Sequence, residues 1–187
     1  MTYTYGTEEW EKAYQDMVKE RLSGAEKPFI MGTPEWVAAF EKLIQEDANY
    51  KEVAKTWEGT VVIHILASPE IGLSDDIFML MDLWHGDCRS VRLVPREAGE
   101  NADYVLTGEF ERWQAVMEKE LDVVKAMMQG KISLKGPLPE IVRYVKASIR
   151  LVELAAQIDT RFLTEMSEEE RAEYAKWFGE IRSTFGF

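Results

Sequence analysis

Cysteine, histidine and long apolar runs are scarce in this 187-residue chain, which holds one cysteine, Cys88, and two histidines, His64 and His85. A lone cysteine cannot close an internal disulfide, so a reducing compartment is expected, by default the cytoplasm. One cysteine and two histidines separated by a strand and a turn also give no tetrahedral ligand set, so no metal is expected. The longest wholly apolar runs, such as Ile77 to Met81, fall far short of the roughly 20 residues that a membrane-spanning helix needs. The first residues, MTYTYGTEEWEK, place acids where a secretory signal has a basic start and an apolar stretch. Basic residues are also in deficit, 22 Lys and Arg against 34 Asp and Glu, for a formal charge of -12. That charge opposes the counterion release on which nucleic-acid affinity rests. It also repels anionic lipid surfaces, except where a basic patch intervenes. No Gly-Lys-Ser or Gly-Lys-Thr and no glycine-rich loop is present to cradle a phosphate.

What is present is an ordinary globular composition, 46% hydrophobic and 30% charged. A chain of this size buries roughly 70% of the surface its unfolded form exposes, enough for one core without staples. Trp10, Tyr14, Met17, Val18 and Leu22 share a helical face after Thr7, a candidate N-cap, and before Ser23-Gly24, a stop. Thr33 as N-cap and Pro34 as first-turn proline open a second helix carrying Trp36, Val37, Phe40, Leu43 and Ile44, which runs on towards Trp57 with a break near Asn49. After Gly59 come β-rich runs, VVIHIL at 61–66, IFMLMDLW at 77–84, SVRLV at 90–94 and ADYVLTGEF at 102–110. Their short, turn-rich separators predict an antiparallel meander with no helix between the strands.

Helical spacing returns over 111–128, with Trp113, Val116, Met117, Leu121, Val124, Met127 and Met128 on one stripe, and a break inside the segment is left open. ISL at 132–134 is a last short strand, and Pro139 opens a long helix with Ile141, Val142, Val145, Ile149, Val152 and Ala156 inward. Ser167 with Glu170 forms a capping box for a final helix bearing Tyr174, Trp177, Phe178 and Ile181. The order predicts an α+β fold with helices packed on one face of a mostly antiparallel sheet of about five strands. The expected division is 1–58 for N-terminal helices, 59–158 for the core and 159–187 for a C-terminal helix and aromatic tail.

Catalytic chemistry has few candidates. His64 interrupts a strand and points with Val62 and Leu66, as a hydrogen-bonded structural residue would. Asp82 alone breaks an apolar run, on the face of Phe78, Leu80 and Trp84. Paired across strands with His64 it is either a buried polar anchor or an acid/base dyad. Cys88, between Asp87 and Arg89, reads as inert. The acids at 168–170 read as a helix start and not as a calcium loop. No enzyme is expected.

Nine methionines and six tryptophans are generous for this length, and methionines recur at 79, 81, 117, 127 and 128. Such side chains either fill an irregular core or line an adaptable ligand cavity. Ala102-Asp103, then Met127-Met128-Gln129-Gly130-Lys131, then Ile132, Leu134 and Gly136, resemble the sterol carrier protein 2 (SCP2) family over roughly 59–156. Pro137, followed by Leu138-Pro139, stands where many relatives have Asn or Asp after the glycine. Glu118-Lys119-Glu120-Leu121 replaces a Gly-Lys-Leu turn.

The resemblance implies a five-stranded sheet covered by helices, with an apolar tunnel that takes sterols, fatty acyl chains or isoprenoid lipids without transforming them and with no cofactor. Periodicity offers Phe110, Trp113, Met117, Val124, Met127, Met128, Ile132, Leu134, Ile141 and Val145 as its lining. The rival reading is an interaction module of the same fold with a filled interior, its aromatic C-terminal helix pairing two copies in a homodimer or docking on an enzyme.

Overall fold

The computed structural model describes all 187 residues. In chain order the elements are α1 (Glu8–Gly24), β1 (Phe29–Ile30), α2 (Pro34–Glu46), α3 (Ala48–Val53), β2 (Glu58–Ile65), β3 (Ile77–Trp84), β4 (Asp87–Leu93), α4 (Arg96–Glu100) and β5 (Tyr104–Gly108). They continue with α5 (Phe110–Met117), α6 (Val123–Met128), β6 (Ser133–Lys135), α7 (Leu138–Arg143), α8 (Val145–Ala155), β7 (Thr160–Arg161) and α9 (Glu168–Phe185). No helix is long and apolar enough to cross a membrane.

Local chemistry sets several of these ends. Thr7 Oγ1 accepts from the Trp10 N–H at 3.2 Å and starts α1. At α9 the Glu170 N–H donates to Ser167 Oγ while the Ser167 N–H donates to Glu170 Oε2, the reciprocal pair expected from the sequence. Thr33 departs from its expected capping role. It occupies the N-cap of α2, but its hydroxyl donates back to the Ile30 carbonyl at 2.7 Å instead of accepting from the helix.

The five-stranded sheet has the order β4-β3-β2-β5-β6. β2, β3 and β4 form the expected antiparallel meander, but β5 lies on the far side of β2 and runs parallel to it, so the sheet is mixed. The connection back from β4 contains α4, a helix where the sequence predicts none. α4 lies across β3 and β2 on the outer face, against a small apolar layer that includes Val62, Phe78, Val94 and Val105. Gly99 permits the approach, because a Cβ there would sit 2.4 Å from Phe78 Cδ1.

The edge strand β4 is closed by side chains. The Val91 N–H donates to Glu41 Oε2 at 2.7 Å, the Leu93 N–H to the Tyr14 hydroxyl at 3.0 Å, and Gln45 Nε2 to the Cys88 carbonyl at 3.1 Å. Unpaired strand edges invite association with other chains, and α1 and α2 remove that opportunity here.

The inner face of the sheet carries the main core, shared with α2, α3, α5, α6, α7 and α8. The two-residue strands β1 and β7 pair in parallel and tie the N-terminal segment to the C-terminal one. The C-terminal aromatics face inward. The Trp10 indole donates to the Phe185 carbonyl at 2.9 Å, and Tyr14, Phe185 and Phe187 pack against one another. Arg21 stacks on Trp177 at 3.9 Å and bonds the buried Glu35. The aromatic face that the sequence offers for pairing two copies is therefore internal, and it lends no support to a homodimer.

Candidate functional site

Between the inner face of the sheet and the helices lies a cavity of about 130 Å³. β3 contributes Ile77, Met79, Met81 and Leu83, alternate residues of one run, so strand pleating alone aims all four at it. β2 adds Val61, Ile63 and Ile65, and β5 adds Leu106. α2 supplies Trp36 and Phe40, α5 supplies Trp113, Val116 and Met117, and α6 supplies Val123 and Met127. α8 closes the remaining side with Ala147, Ser148, Leu151, Val152 and Ala155.

Of the 26 lining residues 24 are hydrophobic, none is charged, and Ser148 is one of the two exceptions with Gly32. Five of the nine methionines line it, Met31, Met79, Met81, Met117 and Met127, as do three of the six tryptophans, Trp36, Trp57 and Trp113. Each of those indole N–H groups is already bonded. Trp113 donates to the His64 carbonyl at 3.2 Å, Trp57 to the Gly59 carbonyl at 3.0 Å and Trp36 to Thr160 Oγ1 at 2.9 Å. The rings are thereby fixed, with no unmet indole donor. Apart from Ile63 in the sheet, the lining residues that keep some exposure are Met117, Val123, Tyr144, Ser148, Leu151 and Val152. The mouth therefore lies between the α5–α6 segment and α8.

The ten residues picked by periodicity divide. Trp113, Met117, Met127 and Ile141 line the cavity. Phe110, Val124 and Ile132 are buried in the surrounding core, Ile132 close to Trp113 across Gly108. Leu134 and Val145 are half-buried against that core. Met128 is exposed. Its place on the stripe carries one phase through 111–128, but the break that the sequence leaves open is there: Lys119 takes φ 60° and Asp122 caps a new helix by accepting from the Lys125 N–H, so the phase is reset before residue 123. Periodicity misses the lining from α2 and α8. It also misses Met79 and Met81, although the alternation in IFMLMDLW already places both on one face.

The catalytic dyad does not form. The register sets His64 opposite Phe78 and Asp82 opposite Thr60, four residues away along the strand. Asp82 instead accepts twice from Arg89, at 3.1 and 2.7 Å. His64 lies on the outer face, its ring stacked on Phe78 at 4.1 Å, with Nε2 2.9 Å from Asp76 Oδ2 and Nδ1 2.9 Å from Thr107 Oγ1. Burial alone would raise the Asp76 carboxyl, but hydrogen bonds from the Ala67 N–H, His64 and Arg96 hold it below the usual carboxylate range. An ionised carboxylate only accepts, so Nε2 carries a proton and donates to Asp76, while Nδ1 is paired with the Thr107 hydroxyl. This is a satisfied structural histidine. Burial pushes the Cys88 thiol up to about 12, with Glu41 and Asp82 adding to the effect, so it is a poor nucleophile.

A second hollow of about 230 Å³ lies between α1, α2 and β4, half of its lining polar. Of its two cations, Arg92 is already matched by Glu11 and Glu41 at 3.0 and 2.7 Å, and Lys19 is exposed to solvent. The apolar cavity is the candidate site.

Comparison with known proteins agrees with this fold. A crystal structure of sterol carrier protein 2 is 32% identical with a TM-score of 0.63, over 68% of this chain and 98% of that one. The solution structure of a conserved hypothetical protein from Thermus thermophilus is 30% identical with a TM-score of 0.64, over 73% of this chain and 94% of that one. No curated protein matches the sequence. The SCP-2 sterol transfer family matches residues 40–146, which leaves α1 and α9 as additions at either end. By that match and by the shared fold, this chain belongs to the SCP-2 sterol transfer family.

Proposed function

We propose that the protein binds and transfers an apolar lipid, without altering it, by enclosing the hydrocarbon part in the cavity beneath α8. The observation that carries this reading is the lining itself, in which no side chain is charged. Transfer of a methylene from water into such a site contributes roughly 0.8 kcal/mol, so eight methylenes supply roughly 6 kcal/mol before the losses of association. A charged headgroup would be left unpaired inside and is therefore held at the mouth. Neutral sterol-like or isoprenoid ligands, and acyl chains with the carboxylate outside, satisfy the same chemistry.

The cavity at about 130 Å³ is comparable to the ~150 Å³ engineered void that admits benzene. A longer chain needs the walls to yield, and five methionines supply the means. Each has three rotatable bonds and no branch, so rotamer changes enlarge the space without moving the sheet.

The test is lipid exchange between vesicles. Donor vesicles carry a fluorescent fatty acid and acceptors carry a quencher. The protein is expected to accelerate transfer in proportion to its concentration, with the fatty acid recovered unchanged. A rate equal to the protein-free exchange overturns the proposal.

A further inference from the structure

We infer that the Tyr50 and Ser148 hydroxyls set the specificity of the cavity by hydrogen bonding to a neutral oxygen of the bound lipid, a hydroxyl or a carbonyl. This deepens the lipid-binding reading and rests on it.

The polar side chains of the cavity wall are three tryptophans, two tyrosines and one serine. Four of these six are spent on the protein itself. The indoles of Trp36, Trp57 and Trp113 are bonded as described, and the Tyr144 hydroxyl donates to the Thr56 carbonyl at 3.0 Å. Tyr50 and Ser148 are bonded only through their backbones, the Tyr50 N–H donating to Asp47 Oδ2 and the Ser148 N–H to the Tyr144 carbonyl, and their hydroxyls have no partner in the protein. Tyr50 is 1% exposed, yet its hydroxyl is not sealed into the packing as that of Tyr174 is, and the open space that Tyr50 lines is the cavity. Ser148 is half-buried at the mouth.

The two residues belong to one corner of the cavity. Tyr50 is on α3 and Ser148 on α8, and these helices pack together. Asp47 ties them, because it accepts from the Tyr50 N–H at 2.6 Å and from Arg150, two residues beyond Ser148, at 2.6 and 2.9 Å. A hydroxyl left unpaired in apolar surroundings costs free energy, and phenylalanine and alanine would complete the same wall without it. A ligand oxygen removes that cost, whereas a plain hydrocarbon leaves it in place. The oxygen is neutral because the corner has no cation to spare: Arg150 is already matched by Asp47 and Glu153, and nothing in the lining is charged. Burial pushes the Tyr50 phenol well above its ordinary value, so it stays protonated and donates to a carbonyl or alcohol oxygen.

The test uses two neutral rings that suit a cavity of about 130 Å³, cyclohexanol and methylcyclohexane, which differ by a hydroxyl in place of a methyl group. Each is titrated into the isotope-labelled full chain, and affinity is read from amide chemical shifts. Y50F and S148A should each bind cyclohexanol roughly fivefold more weakly than the parent chain does, and methylcyclohexane within about twofold of it. Retained methylcyclohexane binding also shows that the cavity of the variant is intact. A merely structural role for the hydroxyls would move both probes together, so equal losses overturn the inference, as does cyclohexanol affinity that stays unchanged in either variant. In those cases methylcyclohexane binding by the parent chain still sustains the apolar cavity. Failure of the parent chain to bind either probe removes the cavity and the inference together.

Discussion

Met127 and Met128 are adjacent in the chain yet meet different media: Met127 is 9% exposed and lines the cavity, while Met128 is 70% exposed on the surface. A bulky ring at the first position fills space that a ligand needs, and at the second it projects into water. Met127→Trp is therefore expected to weaken uptake of a fluorescent fatty acid by roughly tenfold or more, about 1.4 kcal/mol, and Met128→Trp to change it by less than about twofold. Overpacking itself costs about 1–3 kcal/mol, so circular dichroism must show both variants folded. Equal effects at the two positions would contradict the placement of the cavity.

Two buried tyrosines differ in what their hydroxyls do. Tyr14 accepts the Leu93 N–H of the edge strand, whereas the Tyr174 hydroxyl is buried with no hydrogen-bond partner. Urea denaturation of Tyr14→Phe should show a loss of about 1–3 kcal/mol, because a strand N–H is left unsatisfied. Tyr174→Phe should leave stability unchanged or raise it by up to about 1 kcal/mol, because it removes an unmet polar group.

Asp47 joins α3 to the cavity wall. It caps α3 through the Tyr50 N–H at 2.6 Å and accepts from Arg150 on α8 at 2.6 and 2.9 Å. The Arg150 hydrogen bonds hold its carboxyl below the usual range, against the opposing effect of burial. A carboxyl lowered in the folded state stabilises the protein above its unfolded value of about 3.9, and that contribution disappears as pH falls through the lowered value. Asp47→Asn keeps a capping oxygen and loses the charge, so it should cost about 1–2 kcal/mol at pH 7. The difference from the parent chain should shrink below about pH 4, as the parent carboxyl protonates. A gap that stays constant down to pH 2 would show that the charge is not its source.

Gly99 separates stability from binding. Gly99→Ala drives a methyl group into Phe78 on the outer face and should cost about 2 kcal/mol. The cavity lies across the sheet, so ligand affinity measured on the folded protein should be unchanged. A parallel loss of affinity would mean that the two faces are not independent.

These results also show where the sequence is readable. Helix starts are chemical and local, and Thr7, Ser167 and Glu170 announce theirs directly. Strand faces follow from alternation, so Ile77, Met79, Met81 and Leu83 fall together without any tertiary information. The parallel placement of β5 has no such signal, because it consists in pairing Val61 with Tyr104 through Ile65 with Gly108, a register between distant segments that no local pattern encodes. β1 and β7 are two residues each, too short for a period to register.

The same limit divides the candidate site. Trp113 and Met117 lie in the first helix of the 111–128 segment, where the phase of the stripe is true, and both line the cavity. Met128 follows the left-handed break at Lys119, and the phase carried across that break is wrong for it. Trp36 and Phe40 share the helical face that their spacing predicts. That this face meets the sheet at the cavity is tertiary information which periodicity does not contain.

The central claim is that apolar ligand occupies the space bounded by Trp36, Trp57 and Trp113. Titration with a brominated fatty acid tests it directly, since bromine quenches an indole only at close range. The account predicts a saturable loss of roughly half the tryptophan emission, in line with three cavity tryptophans among six, complete at one ligand per chain. Emission that stays constant, or that declines without saturating up to the solubility limit of the fatty acid, would contradict it.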